Sequence, residues 1–416
     1  MYGASLSIRK SPRYLAIYKS ENERLLEFLE ETKMNFQFSP EEERFKEEVR
    51  HFFLSEKEVV AGARKEWDSG LGFGSNCWKI LGKIGARGWL CPTWPKEYGG
   101  LGLSYMYRYI IMEQMHYFLN VYSTVGAGMA GPIILKQGSE KQKKQYLPQI
   151  ARGEVEFVLG YTEPQAGSDL ASLQIRAEDK GDFFLINGSK LFNTRAHYST
   201  YHWLGARTDV NVPKHKGISL IIVDLKTPGI TINPIYTVGG RRTNEIFYDH
   251  VMVPKENLVG EKNSGIYYIL EALDYERIST VAGLERDFQE IVDYVKENRP
   301  SVPPRIREEI AELAVEMESA ALLALRVAWM LDKGKVPNYE AAMLKMVVSE
   351  IEQELIDLAM KILGPYGQIR EGSPWAPLDG KFEWLYRDSL ENLITRGTSE
   401  IMRNIIAQRG LGLPRN

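Results

Sequence analysis

The residues best suited to chemistry in this chain fall in three short stretches. The first is Gly160–Tyr161–Thr162–Glu163–Pro164–Gln165–Ala166–Gly167–Ser168–Asp169. An apolar strand pattern ends at Thr162, and Pro, Gly, Ser and Asp then turn the chain. Such a loop can offer backbone N–H groups and two hydroxyls to an anionic or heteroaromatic ligand, or it can be a plain surface turn. The second stretch is Leu273–Asp274–Tyr275–Glu276–Arg277. Here Glu276 can serve as a general base or stand as a solvated helix charge. The third is Thr395–Arg396–Gly397–Thr398, where a permanently protonated guanidinium sits beside a hydroxyl.

Other constellations are missing. There is no P-loop, no H-E-x-x-H and no G-x-S-x-G. The 6 histidines lack ligand spacing, so no metal site is expected, and His116 in an apolar helical stretch reads as a core residue. Gly126–Ala127–Gly128–Met129–Ala130–Gly131 matches G-x-G-x-x-G. That fingerprint works only as the first turn of a strand–helix unit in a parallel sheet, and no such alternation surrounds it. Close helix packing between small residues explains it better, with Pro132 interrupting the segment. Cys77 and Cys91 are too few for a disulfide framework and read as small core hydrophobes.

The elements that must position these stretches follow from hydrophobic period. From about Ser39 to Gly153 the pattern is helical, over Cys77–Arg87, Tyr105–Phe118, Gly131–Gln137 and Lys141–Ile150 among others. From about Val155 to Pro254 it changes to short strands: Val158–Thr162, Phe183–Asn187, His202–Ala206, Ser219–Val223 and Ile246–Val253. Strands without intervening helices predict an antiparallel barrel or sandwich. Long helical periods then run over Ile266–Glu297, Pro304–Asp332 and Asn338–Leu363, predicting a four-helix bundle. The fold class is therefore α+β: an extension over 1–38, a helical domain over 39–154, a β domain over 155–262 and a helical bundle over 263–416.

Composition sets the outer bounds. The 416 residues are 44% hydrophobic and 26% charged, which excludes a disordered chain, and a net charge of −3 excludes a general nucleic-acid binder. No apolar run is long enough to span a bilayer. Residues 1–20 carry Arg9, Lys10, Arg13 and Lys19 and no acid, as a transit peptide or, more simply, a frayed terminus would. A reducing, cytoplasmic setting is expected.

The loop at 160–169 resembles the signature of the acyl-CoA dehydrogenases, and the resemblance extends from about residue 40 to the C-terminus. Gly88–Trp89 through Trp94–Pro95–Lys96–Glu97–Tyr98–Gly99–Gly100 is similar to the family's segment between early helices. Asn187–Gly188–Ser189–Lys190–Leu191–Phe192–Asn193–Thr194 resembles its N-G-x-K-x-W-I-T stretch. Val251 to Gly260 resembles the exit from its β domain, and Gly397 to Ala407 its C-terminal helix. The resemblance implies FAD and an acyl-CoA thioester as ligands, with electrons passing to an electron-transfer flavoprotein. It implies flavin contacts at Leu159, Tyr161, Thr162, Gly167, Ser168, Phe192, Asn193, Thr194, Gly397 and Thr398, with Ser168 also facing the substrate. Phe192 stands where the family has Trp, which keeps an aromatic face and loses the indole N–H.

Departures from the family pattern fall at the base and at the cofactor's adenine end. Short- and medium-chain members carry the base as Glu in a C-terminal E-G-T motif, and here that position is Arg396. Isovaleryl-like and long-chain-like members carry it just before an Arg on an earlier helix, the place of Glu276, with Asp274 and Arg277 bordering substrate. A cation beside Glu276 would favour its ionised form. Alternatively, Arg396 would bind a carboxylate on a dicarboxylic or polar acyl group. The R-x-x-F-G segment, which reaches a neighbouring subunit's FAD, is lost at Asn298–Arg299–Pro300–Ser301–Val302. The Q-x-x-G-G-x-G segment appears as Lys361–Ile362–Leu363–Gly364–Pro365–Tyr366–Gly367, leaving Lys361 and Gly364 for the pyrophosphate region. The expected activity is oxidation of a branched, cyclic or polar acyl-CoA in a homotetramer or a heterotetramer with a homologue. The alternatives are a non-catalytic partner subunit, enoyl-CoA reduction or β-elimination.

Overall fold

A computed structural model describes residues 36–121, 123–276, 279–298 and 303–414, apart from the Glu276 side chain. The basic stretch at 1–20, most of the extension, Arg277 and residues 299–302 lie outside the described residues.

Helices α1 (Pro40–Ser55), α2 (Lys57–Asp68), α3 (Ser75–Gly85), α4 (Tyr105–Leu119), α5 (Gly131–Gln137) and α6 (Glu140–Ala151) precede the sheet. Pro40 opens α1 and Glu41, Glu42 and Glu43 fill its first turn, where acids offset the positive end of the helix dipole. Its Val49, Phe52 and Phe53 pack with Ile80, Ile84 and Trp89 in one apolar cluster. A capping box starts α6: Ser139 Oγ accepts from the Gln142 N–H at 3.2 Å, and Gln142 Oε1 accepts from the Ser139 N–H at 3.0 Å. Gln142 Nε2 also donates to the carbonyls of Glu256 and Leu258, tying this helix to the exit of the sheet.

The G-x-G-x-x-G look-alike is a buried π turn, Gly126–Ala130, that runs into α5. A Cβ on Gly131 would overlap the Trp94 ring, so the glycine is there for close packing. Pro132 sits in the first turn of α5, where a missing N–H costs little, so it opens the helix instead of interrupting it.

Strands β1 (Phe157–Gly160), β2 (Arg176–Asp179), β3 (Phe183–Lys190), β4 (Tyr201–Arg207), β5 (Ile218–Asp224), β6 (Ile230–Tyr236), β7 (Arg242–Pro254) and β8 (Leu258–Val259) form one eight-stranded sheet. Their order is β6-β7-β3-β2-β4-β5-β8, with β1 on β4. Pairing is antiparallel as expected, except that β1 and the first residue of β2, Arg176, run parallel to β4. Strands β2, β6 and β8 carry no sustained apolar pattern, so alternation does not announce them. By contrast, Ile218–Val223 of β5 is buried throughout, because α7 (Gly265–Glu276) lies against it.

Helices α8 (Ala282–Asn298), α9 (Pro304–Asp332), α10 (Asn338–Leu363), α11 (Lys381–Asp388), α12 (Leu390–Ile394) and α13 (Ser399–Ile405) complete the chain. The period over Ile266–Glu297 is two helices, not one. The apolar repeat runs through the break without a proline, but buried Thr280 leaves helical geometry and places Oγ1 2.8 Å from His116 Nδ1 on α4. With α7 committed to the sheet, α8, α9 and α10 complete their bundle with α4 from the N-terminal helices. Among the described residues, no helix is long and apolar enough to cross a membrane.

Gly131→Ala should lower stability by about 1–3 kcal/mol through overpacking. Gly82→Ala, on a helix face with nothing within 4 Å of the new methyl, should raise it by about 0.4–1 kcal/mol. Urea unfolding of the two variants checks both signs.

Candidate functional site

The loop after β1 is organised by a buried carboxylate. Glu163 exchanges backbone hydrogen bonds with Ala166, each 3.0 Å, which closes a tight turn over Pro164–Gln165. Its side chain accepts from Lys190 Nζ at 2.8 Å, the Ile175 N–H at 3.0 Å, the Gln174 N–H at 2.6 Å and Gln165 Nε2 at 2.8 Å. Lys190 Nζ also donates to the Tyr161 carbonyl at 3.0 Å. The Lys190 and Glu163 side chains are 0% and 2% exposed. Burial pushes the Lys190 ammonium down to about 8 against the opposing pull of Glu163.

Beyond Lys190 the chain lines up beside that loop. The Leu191 N–H donates to the Thr162 carbonyl at 2.9 Å, and Asn193 Nδ2 donates to the Leu159 carbonyl at 2.6 Å. Asn193 and Asn244 are also cross-linked, through the Asn193 N–H to the Asn244 carbonyl and Asn244 Nδ2 to the Asn193 carbonyl. Between these pinned neighbours Phe192 has φ 57° and is 60% exposed. A phenylalanine in the left-handed region is strained, and here the bonds on both sides hold it. Thr194 follows, its Oγ1 3.3 Å from Thr243 Oγ1. Leu159, Tyr161, Thr162, Phe192, Asn193 and Thr194 thus share one rim, with exposed Gly167 and Ser168 on the same loop. The rim fits a flat heteroaromatic group: an aromatic face is presented, a Cβ at Gly167 would meet nothing within 4 Å, and among the described residues buried Asn193 Oδ1 has no hydrogen-bond partner.

Beneath the rim, buried Glu156 accepts from the N–H groups of Gly126 and Phe157 and from Arg195. Burial raises its carboxyl although Arg195 opposes this. The π turn is thereby tied to β1.

The second stretch closes α7. Asp274 is half-buried, and the Tyr275 hydroxyl meets that of Tyr105 on α4. Glu276 is the last helical residue; its side chain and Arg277 lie outside the described residues.

The third stretch is held from two directions. Arg396 and Gly397 have φ of 59° and 92°, and Thr398 Oγ1 then accepts from the Ile401 N–H at 3.3 Å to cap α13. Buried Lys345 on α10 donates to the Gly397 carbonyl at 2.7 Å. The charge of Arg396 acts on Glu352, Glu391 and His116. Burial pushes Glu352 up to about 7, against Asn392 and Arg396. Upstream, Arg241 in the β6–β7 turn grips Asp388 at 3.0 and 2.5 Å, and Arg387 donates to the Val238 carbonyl, so the sheet anchors the helices leading to Arg396.

Lys361 and Gly364 do not join this group. Lys361 pairs with Glu309 at 2.9 Å, and it lies about 24 Å along α10 from Lys345, at 1.5 Å per residue. Among the described residues no cluster suits a metal ion, and His116, half-buried, packs between helices with its Nδ1 against Thr280 Oγ1, as a core histidine was expected to. Glu163, Lys190, Glu156, Lys345 and Glu352 were not assigned roles from the sequence. The signal for Lys190 was its place on the inward parity of β3 with Phe184 and Ile186, where a charge demands a buried partner.

This geometry has known counterparts. Residues 39–154, 158–251 and 263–411 match the acyl-CoA dehydrogenase N-terminal, middle and C-terminal domains. The chain belongs to the acyl-CoA dehydrogenase family. It is an oxidoreductase of the FAD-dependent flavoprotein class. It is 34% identical over 393 residues to acyl-CoA dehydrogenase FadE29 of Mycobacterium tuberculosis, covering 92% of this chain and 99% of that protein. The Tcur3481-Tcur3483 steroid ACAD superposes with a TM-score of 0.85 at 34% identity, covering 92% of this chain and all of that one. The ChsE4-ChsE5 complex from Mycobacterium tuberculosis superposes with a TM-score of 0.83 at 30% identity, over 92% of this chain and 100% of the matched chain.

Two outcomes test this site. Glu163→Gln leaves a buried ammonium unmatched and should cost about 3–5 kcal/mol, with part recovered in Glu163→Gln/Lys190→Met. Equal losses in the single and double variants would deny the coupling. The second concerns pH. Burial pushes His116 down to about 4 from 6.5, so between those values the unfolded chain binds the extra proton and stability falls as pH falls. His116→Gln should lose less over that interval, by roughly 1–3 kcal/mol in urea titrations.

Proposed function

We propose that the chain oxidises an acyl-CoA with a branched or ring-bearing acyl group to the α,β-enoyl-CoA, with Glu276 removing the α-proton. The observation that carries this is the division between two helices. The C-terminal loop presents Arg396, which cannot take a proton, whereas α7 lies against β5 of the sheet and ends at the carboxylate Glu276. Bound FAD supplies the hydride acceptor. Thr162, Gly167, Ser168, Phe192 and Thr194, with Gly397 and Thr398, would hold its ring system, and Leu159, Tyr161 and Asn193 shape the rim. Ser168, Asp274 and Arg277 would border the thioester. Lys361, in the last turn of α10, and Gly364, just past its end, would serve the adenine end of a neighbouring subunit's cofactor. Arg396 has Glu352 and Glu391 for its charge, which favours a role in holding the loop; on the alternative, in which it binds a substrate carboxylate, Arg396→Gly would change substrate preference. We place the reaction in a reducing cytoplasm, where buried Cys77 and Cys91 remain thiols, with an electron-transfer flavoprotein as acceptor.

A second reading keeps the fold and assigns the chain to a heteromeric enzyme, as a subunit that needs a homologue to act. Lys361 paired to Glu309 favours it, and so does the similarity to the ChsE4-ChsE5 complex.

The test is the visible spectrum of the flavin-bound protein during anaerobic addition of branched, cyclic and straight-chain acyl-CoAs. Bleaching by one class is expected, and Glu276→Gln should slow it by about 10²–10⁴-fold. Undiminished bleaching in that variant would remove Glu276 as the base. Bleaching only after a homologous chain is added would select the second reading.

A further inference from the structure

Helix α10 carries a lysine on its buried face. Lys345 is 2% exposed, and Ala341, one turn back, is buried with it. Taking an ammonium out of water is costly, and the cost must be offset by what the ammonium bonds. Two of its hydrogen bonds reach the main chain of one short link. Nζ donates to the Gly397 carbonyl at 2.7 Å and to the Leu393 carbonyl at 3.4 Å. Leu393 lies in the last turn of α12, and Gly397 comes just before Thr398, the cap of α13. One ammonium therefore clasps both ends of the link Thr395–Arg396–Gly397.

The link has a conformation that needs holding. Arg396 and Gly397 have φ of 59° and 92°, and the left-handed region is unfavourable for a residue with a side chain such as Arg396. The peptide between Gly397 and Thr398 is trans, so its C=O and N–H point in opposite directions. With the Gly397 carbonyl fixed on Lys345, the Thr398 N–H is turned away from α10. The same face of α10 continues the hold. Glu352, two turns on from Lys345, accepts from Asn392 Nδ2 at 2.8 Å. Ser349, between them, donates back to the Lys345 carbonyl at 2.9 Å. A cation on carbonyls and a carboxylate on an amide thus fix the end of α12 and the link that follows it.

We propose that Lys345 is the positioning residue of this link: by clasping the Leu393 and Gly397 carbonyls it holds the backbone of Arg396–Thr398 in the conformation that meets a bound flavin. This rests on the reading above, in which Gly397 and Thr398 hold the ring system of FAD. Lys345 acts through the main chain and touches no ligand itself. The task needs a group that donates to two carbonyls at once, which an ammonium with three N–H groups does and an apolar side chain does not.

The experiment compares Lys345→Met, Lys345→Arg and Leu355→Ala in the flavin-bound protein. Leu355 is buried further along α10, in the cluster with Met317 and Phe382, so its truncation lowers stability without removing a bond to the link. FAD released on dilution is read by its fluorescence, and the environment of the bound flavin by its visible band. Lys345→Met should raise the Kd for FAD about tenfold or more and shift the band. Lys345→Arg, which keeps donors for the carbonyls, should recover part of both. Leu355→Ala should hold FAD within about twofold of the wild-type Kd, with the band unmoved. A second measurement needs no variant: amide hydrogen exchange over residues 393–400 should slow about tenfold or more when FAD is bound. Unchanged exchange there overturns the proposal, whichever variants fold. So does a Lys345→Met protein that keeps FAD as tightly as wild type, a Lys345→Arg protein that recovers nothing, or a Leu355→Ala protein that releases FAD as readily as Lys345→Met. Lys345-dependent retention of FAD in a protein that no acyl-CoA bleaches would support this inference while removing the oxidation reading.

Discussion

The arrangement of the site depends on one desolvated ion pair, Lys190 with Glu163. Its two members come from the end of β3 and the loop after β1, and its remaining hydrogen bonds run to the backbone at Tyr161, Gln174 and Ile175 and to the Gln165 side chain. Because neither charge has water to fall back on, the loop and the strand end hold one relative position. That fixed position sets Phe192 and Thr194 beside Thr162. The strain at Phe192 persists because Leu191 and Asn193 are anchored on either side of it.

A second set of constraints delivers the C-terminal loop. The β6–β7 turn grips α11 through Arg241 and Asp388, and Lys345 on α10 holds the Gly397 carbonyl. Left-handed Arg396 and Gly397 then turn the chain into the cap of α13. Charges that face helices, Arg396 with Glu352 and Glu391, are balanced within the chain.

Much of the architecture was legible in the sequence. Pro304–Asp332 and Asn338–Leu363 were bounded to the residue, because long amphipathic periods and flanking prolines carry strong local signals. Strands buried on one or both faces were found, while β2, β6 and β8, with exposed or very short patterns, were not. The break between α7 and α8 was hidden for a related reason. Just past it, Thr280 contacts His116 on a helix far back in the chain, a pairing that no local pattern announces. The rejected dinucleotide fingerprint shows the converse, since its glycines are explained by the Trp94 ring that presses on one of them.

Taken by itself, the sequence determined the order of helical and β segments and the exclusion of a proton-accepting group at position 396, both of which follow from residue type and local spacing. The grouping of Thr162, Phe192 and Thr194 came from the family resemblance instead. Only the tertiary structure decided which charges are partnered. The pairings of Lys190 with Glu163 and of Lys361 with Glu309 depend on distances between segments remote in sequence. The cost or benefit of a charge is set by burial and by the groups around it, and neither exists until the chain has folded.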